Sequence, residues 1–387
     1  MNLKQKFTIH KSIYLLILLW LILCLVAAGC GGRNTIKIGF SVELSGSRGT
    51  IGLAARNGAE MAVDQINKSG GINGRLLELL VRDDLGNPET ARQVDAELIE
   101  EGVVAIIGHI TSQQTLDVYE QNNEAKIIMM SPTSSSPSFT AQDDYFFRVM
   151  QSNDDFGRAI ANYIYSQGIR QLSGVYDTSN QAFSFPLWDA AKDEFQNLGG
   201  EVMPGLEFSS ADNPDLRQVV AALADQDPEA VLFVASGVDT ALMAQYANLQ
   251  SLDADLFSSP WAATDELLQK GGAAIEGMVL NALTNPQDTA ENYISFRNEY
   301  VERYGIEPGL GASHAYEAVM VLAEALGKTN GRTDGLKDAL LSISDFQGVN
   351  GTITFDAYGD VSRNFYLVRV EDREFVTIAD IALDDRE

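Results

Sequence analysis

Cysteine and histidine are scarce, two and three of them in 387 residues. A disulfide-stapled scaffold needs several half-cystines, and a metal centre draws on clustered His and Cys, so neither is expected. Basic residues are short as well: 27 Lys and Arg stand against 54 Asp and Glu, a formal net charge of −27. Nucleic-acid binding needs Lys and Arg gathered against phosphates, which argues against such a partner. Catalytic signatures are missing too. There is no Gly-x-Ser-x-Gly elbow, no Gly-x-Gly-x-x-Gly turn and no Gly-x-x-x-x-Gly-Lys-Ser/Thr loop. The adjacent pairs Asp83-Asp84, Asp143-Asp144 and Asp154-Asp155 resemble carboxylate dyads. Neighbours on a strand point to opposite faces, so they read as solvated or capping groups. Apolar residues make up 45% and charged residues 21%, a globular balance that excludes a disordered or collagen-like chain. The expectation is a binding protein with no enzymatic activity, metal or cofactor.

The one long apolar run lies at the start. Lys4, Lys6 and Lys11 precede residues 13–28, and Ala27, Ala28 and Gly29 stand directly before Cys30. Basic, then apolar, then small is the order of a secretory signal, and 16 apolar residues are short of the roughly 20 that span a bilayer. Residues 1–29 are expected to be removed. The exported chain then keeps 24 of its 27 basic residues and all 54 acidic ones. Cys30 is its only cysteine, so no intramolecular disulfide is expected, and residues 30–34 form a short polar tether.

The body alternates strand and helix patterns. Residues 35–40 are β-rich, 51–68 carry apolar residues at helical spacing, and 75–82 form a second strand. Asn87-Pro88 starts a helix running to about residue 101, with Asn as cap and Pro at the first position. Strands follow at 103–107 and 127–130, with a helix at 115–123 between them. The pattern restarts with strands at 172–176, 201–208, 231–235 and 256–259, and helices at 187–198, 216–224 and 240–249. Helices at 290–304 and 313–326 come next, then β-rich pieces at 352–355 and 365–370 joined by a turn at Tyr358-Gly359-Asp360. Repeated β-α-β units imply parallel sheets with helices on both faces, and there are too many strands for one sheet. The expected class is α/β with two doubly wound parallel-sheet lobes.

Two hydroxyl-rich loops stand out. Gly108-His109-Ile110-Thr111-Ser112 and Ser131-Pro132-Thr133-Ser134-Ser135-Ser136 each leave the carboxyl end of a strand. Ligands of open α/β sheets bind there, and hydroxyls with free backbone N–H groups suit a carboxylate. Plain loop and capping chemistry is the competing reading. Trp261, in Ser258-Ser259-Pro260-Trp261-Ala262, either packs within its loop or stacks on a ligand. His109 reads as structural and Tyr316 as core. Arg48 either reaches an anionic ligand or lies solvated on its loop.

Several stretches, in order along the chain, resemble the solute-binding proteins of branched-chain amino acid ABC importers, the Leu/Ile/Val-binding type. They are Ile36-Lys37-Ile38-Gly39-Phe40, Gly58-Ala59-Glu60-Met61-Ala62-Val63-Asp64 and Ile66-Asn67-Lys68-Ser69-Gly70-Gly71-Ile72-Asn73-Gly74-Arg75. Asp83-Asp84, Ile107-Gly108-His109, Met130-Ser131-Pro132, Ala315-Tyr316-Glu317-Ala318 and residues 355–360 continue the series. The segment Ala27-Ala28-Gly29-Cys30 resembles a bacterial lipoprotein box with Ala27 in place of Leu, which implies that Cys30 is lipidated. The resemblance implies a type I periplasmic binding protein fold: two lobes, 34–150 plus 282–350 and 151–281 plus 351–387. Three crossovers, near residues 150–152, 281–283 and 348–352, would join them. It further implies a monomer at the outer face of the cytoplasmic membrane or in the periplasm, held by a lipid anchor, with a small amino acid or related carboxylate as ligand and an ABC permease as partner. A ligand-sensing receptor of the same fold is the alternative.

Carried over by that resemblance, Ser112, Thr133 and Ser135 hold the ligand's α-carboxylate and α-amino group, Thr133 mainly by its backbone. The resemblance implies that the second lobe closes with aromatic side chains, and Phe183, on an Asp177–Ser184 loop, falls near the position where the family has a tyrosine. The glutamate that meets the ligand's amino group falls on or beside Trp261, which has no charge to offer. Asp239 or Asp265 would take that role, or Trp261 would take it by cation–π contact.

Overall fold

A computed structural model describes residues 35–46 and 48–382. Cys30, the leader and residues 30–34 lie outside the described residues. The first half builds a parallel sheet from β1 (Ile36–Val42), β2 (Leu77–Asp83), β3 (Ala105–Ile107), β4 (Ile128–Ser131) and β5 (Phe146–Arg148), in the order β2-β1-β3-β4-β5. Its crossovers are α1 (Gly49–Lys68), α2 (Pro88–Glu100) and α3 (Ser112–Glu124). The alternation of Ile36, Ile38, Phe40 and Val42 puts fully buried side chains under α1, as period-2 patterning requires. The start of α2 follows its sequence signature: Asn87 Oδ1 accepts from the N–H groups of Glu89 and Thr90, and Pro88 takes the first helical position.

The second sheet uses α4 (Asn153–Ser166), β6 (Gln171–Asp177), α5 (Gln181–Asn197), β7 (Glu201–Val202), β8 (Leu206–Phe208), α6 (Leu216–Ala224), β9 (Ala230–Val234), α7 (Gly237–Leu249), β10 (Asp255–Ser258), α8 (Asp265–Gly271) and β11 (Val279–Ala282). The chain then returns over the first sheet through α9 (Glu291–Tyr304), α10 (Ala312–Thr329), α11 (Leu336–Leu341) and the small hairpin β12 (Phe346–Gln347) with β13 (Thr352–Ile353). It ends in β14 (Phe365–Glu371) and β15 (Glu374–Ile381), which join the second sheet antiparallel beside β11. That sheet runs β15-β14-β11-β10-β9-β6-β7, with β8 also on β6. Two close helix approaches fix the layers. A Cβ on Gly58 would lie 2.0 Å from the Ala312 carbonyl oxygen, and one on Gly157 would lie 2.4 Å from that of Leu187. Only glycine lets α1 meet α10, and α4 meet α5, at these distances. Among the described residues no helix is long and apolar enough to cross a membrane.

Local readings differ from the fold at four places. The helix expected from 187 begins at Gln181 and carries Pro186 inside it, so Phe183 sits on a helical first turn and not on a loop. The strand expected at 201–208 is two short pieces, because Pro204 has no N–H for the ladder and Gly205 lies against Trp188. The β-rich pieces 352–355 and 365–370 do not share a sheet. The third passage between sheets therefore falls later than residues 348–352. Phe355 stacks edge-on to Phe147 at 5.3 Å, and Arg148 Nε donates to Asp360 Oδ1 at 2.7 Å, which keeps residues 352–361 on the first sheet's side.

At these passages lies a buried ion pair. Arg363 donates to both carboxylate oxygens of Glu317, at 2.7 and 3.0 Å, and to the Val149 carbonyl at 2.9 Å. Glu317 also accepts from the Asn350 N–H at 2.7 Å. The pair thus ties α10 to the segments on which the chain changes sheets. Removing one partner leaves a buried charge alone, which costs more than the pair is worth. Arg363→Ala is expected to lower unfolding free energy by about 3–5 kcal/mol in urea titration. The double replacement Arg363→Met with Glu317→Leu is expected to cost distinctly less.

Candidate functional site

The strand order reverses between β1 and β3 in the first sheet and between β6 and β9 in the second. At such a switch point the loops at the carboxyl ends diverge and leave a crevice. Here the two crevices face each other, and one cavity draws its lining from both. The first sheet contributes Ile51, Ile110, Thr111, Ser112, Thr133 and, from the returning segment, Leu310. The second contributes Asn180, Phe183, Pro260 and Trp261, and Met150 and Leu283 lie where the chain passes between sheets.

Ser112 is the first residue of α3, and Thr111 caps that helix by accepting from the Gln114 N–H at 3.2 Å. The Ser112 hydroxyl accepts from the N–H groups of Ser135 and Ser136, at 3.1 and 3.2 Å. With both donors on its lone pairs, its proton is left to donate. The Thr133 hydroxyl is turned into the protein, donating to the Ile110 carbonyl at 2.6 Å. The Ser135 hydroxyl is fully buried without a hydrogen-bond partner. Phe183 and Trp261 meet edge to face, ring centroids 5.9 Å apart and planes at 84°, and form an apolar wall.

Of the residues expected at the site, Ser112, Thr133, Phe183 and Trp261 come together in the lining, and Ser135 lies immediately behind Ser112. Asp239 and Asp265 do not line it. Asp239 accepts from the Ser236 hydroxyl at 2.7 Å; burial pushes its carboxyl above the ordinary value, against the pull of that bond. Asp265 stands exposed in the first turn of α8. Arg48 fits neither of its readings. It pairs with Glu43 at 3.2 Å and reaches across to the Ser179 hydroxyl at 3.3 Å.

Sequence reasoning missed Asn180 and Gln113. Asn180 Oδ1 accepts from the Gln113 N–H at 3.1 Å, and Gln113 Oε1 accepts from the Ala182 N–H at 3.3 Å. Together with Arg48 and Ser179 these bonds join the two sheets' loops across the cleft. Their only trace in the chain is polar residues beside strand ends, which capping explains equally well.

Beneath the β3 loop, His109 is fully buried between two carboxylates, with Nδ1 2.7 Å from Asp84 and Nε2 3.2 Å from Asp95. Gln114 donates to Asp84 at 2.7 Å and Asn122 to Asp95 at 2.6 Å. His109 is structural, as expected, but as a charged strut. Burial alone would lower its pKa; the charge of Asp95 and the bonds to both carboxylates outweigh that and raise it from 6.5 to about 10.

Residues 35–374 match the periplasmic binding protein family. The "Leu/Ile/Val-binding protein homolog 2" of Brucella abortus is 27% identical over 356 residues, covering 89% of this chain and 92% of the relative. Among solved structures, the leucine-binding protein LivK of Thermotoga maritima superposes with a TM-score of 0.83 at 24% identity, covering 90% of this chain and 99% of the other. The branched-chain amino acid substrate-binding protein LivJ of Streptococcus pneumoniae, solved with isoleucine, gives 0.82 at 23% identity, covering 89% and 99%. At these identities the structures speak for the fold, which is that of the type I periplasmic binding proteins.

A raised His pKa has a sign. The unfolded chain loses the His109 proton near 6.5 while the folded chain holds it to about 10, so its stabilisation is complete below 6.5 and is lost as pH rises to about 10. Thermal melts are expected to fall steadily across that window. In His109→Asn the melting temperature is expected to be lower at pH 6 and its decline through the window shallower.

Proposed function

We propose, from the premise that the chain belongs to the periplasmic binding protein family, that it captures a small carboxylate between two lobes outside the cytoplasm and hands it to an ABC permease. The chain is a solute-binding protein and not an enzyme. In this reading Cys30 is lipidated after loss of residues 1–29, and the chain works as a tethered monomer. One lobe is the first sheet with its returning helices, the other the second sheet with its antiparallel tail.

The observation that carries the reading is the placement of the Ser112 hydroxyl. It stands at the start of α3, lining a largely apolar, uncharged cavity shared by the two sheets, with its lone pairs filled and its proton free. A helix start adds partial positive charge to that donor, so a carboxylate is met without a formal cation. Relatives named for leucine, isoleucine and valine support a ligand of that size.

The test is calorimetry of the purified chain against a panel of small carboxylates and amino acids. One class is expected to bind at micromolar strength or better, and X-ray scattering is expected to show a smaller radius of gyration with ligand than without. Ser112→Ala, which removes the donor and frees two backbone N–H groups, is expected to weaken binding by about tenfold to a hundredfold. Unaltered affinity in that variant, or no binder in a correctly folded sample, defeats the proposal.

A further inference from the structure

We propose that the ligand carries no cationic group: the cleft selects a carboxylate on a branched or aromatic hydrocarbon body and rejects the corresponding α-amino acid. This rests on the reading of the cleft as a carboxylate site and narrows it.

The argument is an inventory of donors and acceptors. Eight of the twelve lining residues are apolar, and among the described residues no charged side chain lines the cavity. The four polar ones are uncharged and each is engaged in an internal hydrogen bond. Thr111 Oγ1 accepts from the Gln114 N–H and donates to Gln114 Oε1. Thr133 Oγ1 is drawn onto the Ile110 carbonyl, Asn180 Oδ1 holds the Gln113 N–H, and Ser112 Oγ holds two N–H groups. Neutral lone pairs remain on Thr133 Oγ1; the donors that remain toward the cavity are the Ser112 proton and the Asn180 amide protons. A carboxylate presents only acceptors and matches that set. An ammonium presents three donors and finds no acceptor with a spare charge.

The carboxylates nearest the cleft in sequence are committed elsewhere. Asp239 is held by Ser236, Asp177 by Ser179 and Ser210, and Glu43 by Arg48. The faces of Phe183 and Trp261 are the remaining option for a cation. A cation–π contact is weaker than the desolvation of an ammonium ion that it would have to offset. The same two rings, set edge to face, offer the flat apolar surface that a hydrocarbon body fills.

The inference is read from matched pairs. Calorimetry on the full-length chain in mild detergent compares 4-methylpentanoate with leucine, and 3-phenylpropanoate with phenylalanine. At least one amine-free acid is expected to bind, and to bind at least about tenfold more tightly than its amino acid, because burying an unpaired ammonium carries a penalty of that order or more. Equal or tighter binding of the amino acid overturns this inference and leaves carboxylate capture standing. Absence of binding by all four defeats both. Trp261→Glu, checked for folding by circular dichroism, supplies the missing anion and is expected to move the ratio at least about tenfold toward the amino acid. An unmoved ratio in a folded variant also overturns the inference.

Discussion

One set of bonds organises the cleft: the Ser112 hydroxyl receiving the backbone N–H groups of Ser135 and Ser136. It pins the loop after β4 to the first turn of α3, which leaves the loop after β3. Two segments that follow adjacent parallel strands become one rigid wall. The bond also decides the wall's polarity. Once its lone pairs are occupied, Ser112 has only a proton to give, and the helix start behind it reinforces that. The uncharged cavity beside it follows from the same geometry, since small hydroxyl residues and backbone replace side chains that would carry a charge.

The wall is held up by charges that do not line the cavity. His109 between Asp84 and Asp95 supports the β3 loop from inside the lobe, and Arg363 on Glu317 locks the passages between sheets. Both sets are buried, hydrogen-bonded on several sides and internally compensated, which is the condition under which buried charge is tolerated. A chain with twice as many acidic as basic residues spends some of its scarce cations, Arg48, Arg148 and Arg363, inside such networks. The cavity itself holds none.

Most of the strand and helix succession was legible from periodicity, caps and turn residues, because each depends on neighbours in the chain. The lapses have local causes. Phe183 and Pro186 lie in the first two turns of a helix, a stretch that reads as loop, and Pro204 with Gly205 divides a run that reads as continuous strand. Residues 352–361 carry a strand-like pattern, but stacking of Phe355 on Phe147 and pairing of Asp360 with Arg148 draw them to the first sheet. Partners 200 residues away leave no mark on local pattern.

By itself the amino-acid sequence determined the parallel α/β class, the doubled arrangement and the position of two hydroxyl-rich loops at strand ends. These are consequences of side-chain period and residue type, properties that each segment carries alone. Only the tertiary structure decided that Asp239 and Asp265 stay out of the cavity, that Arg48 spans the cleft to Ser179, and that Asn180 joins the lining. Whether an oxygen is free or spent depends on which donor the fold brings within about 3 Å of it, and that distance exists only once the two sheets are in place.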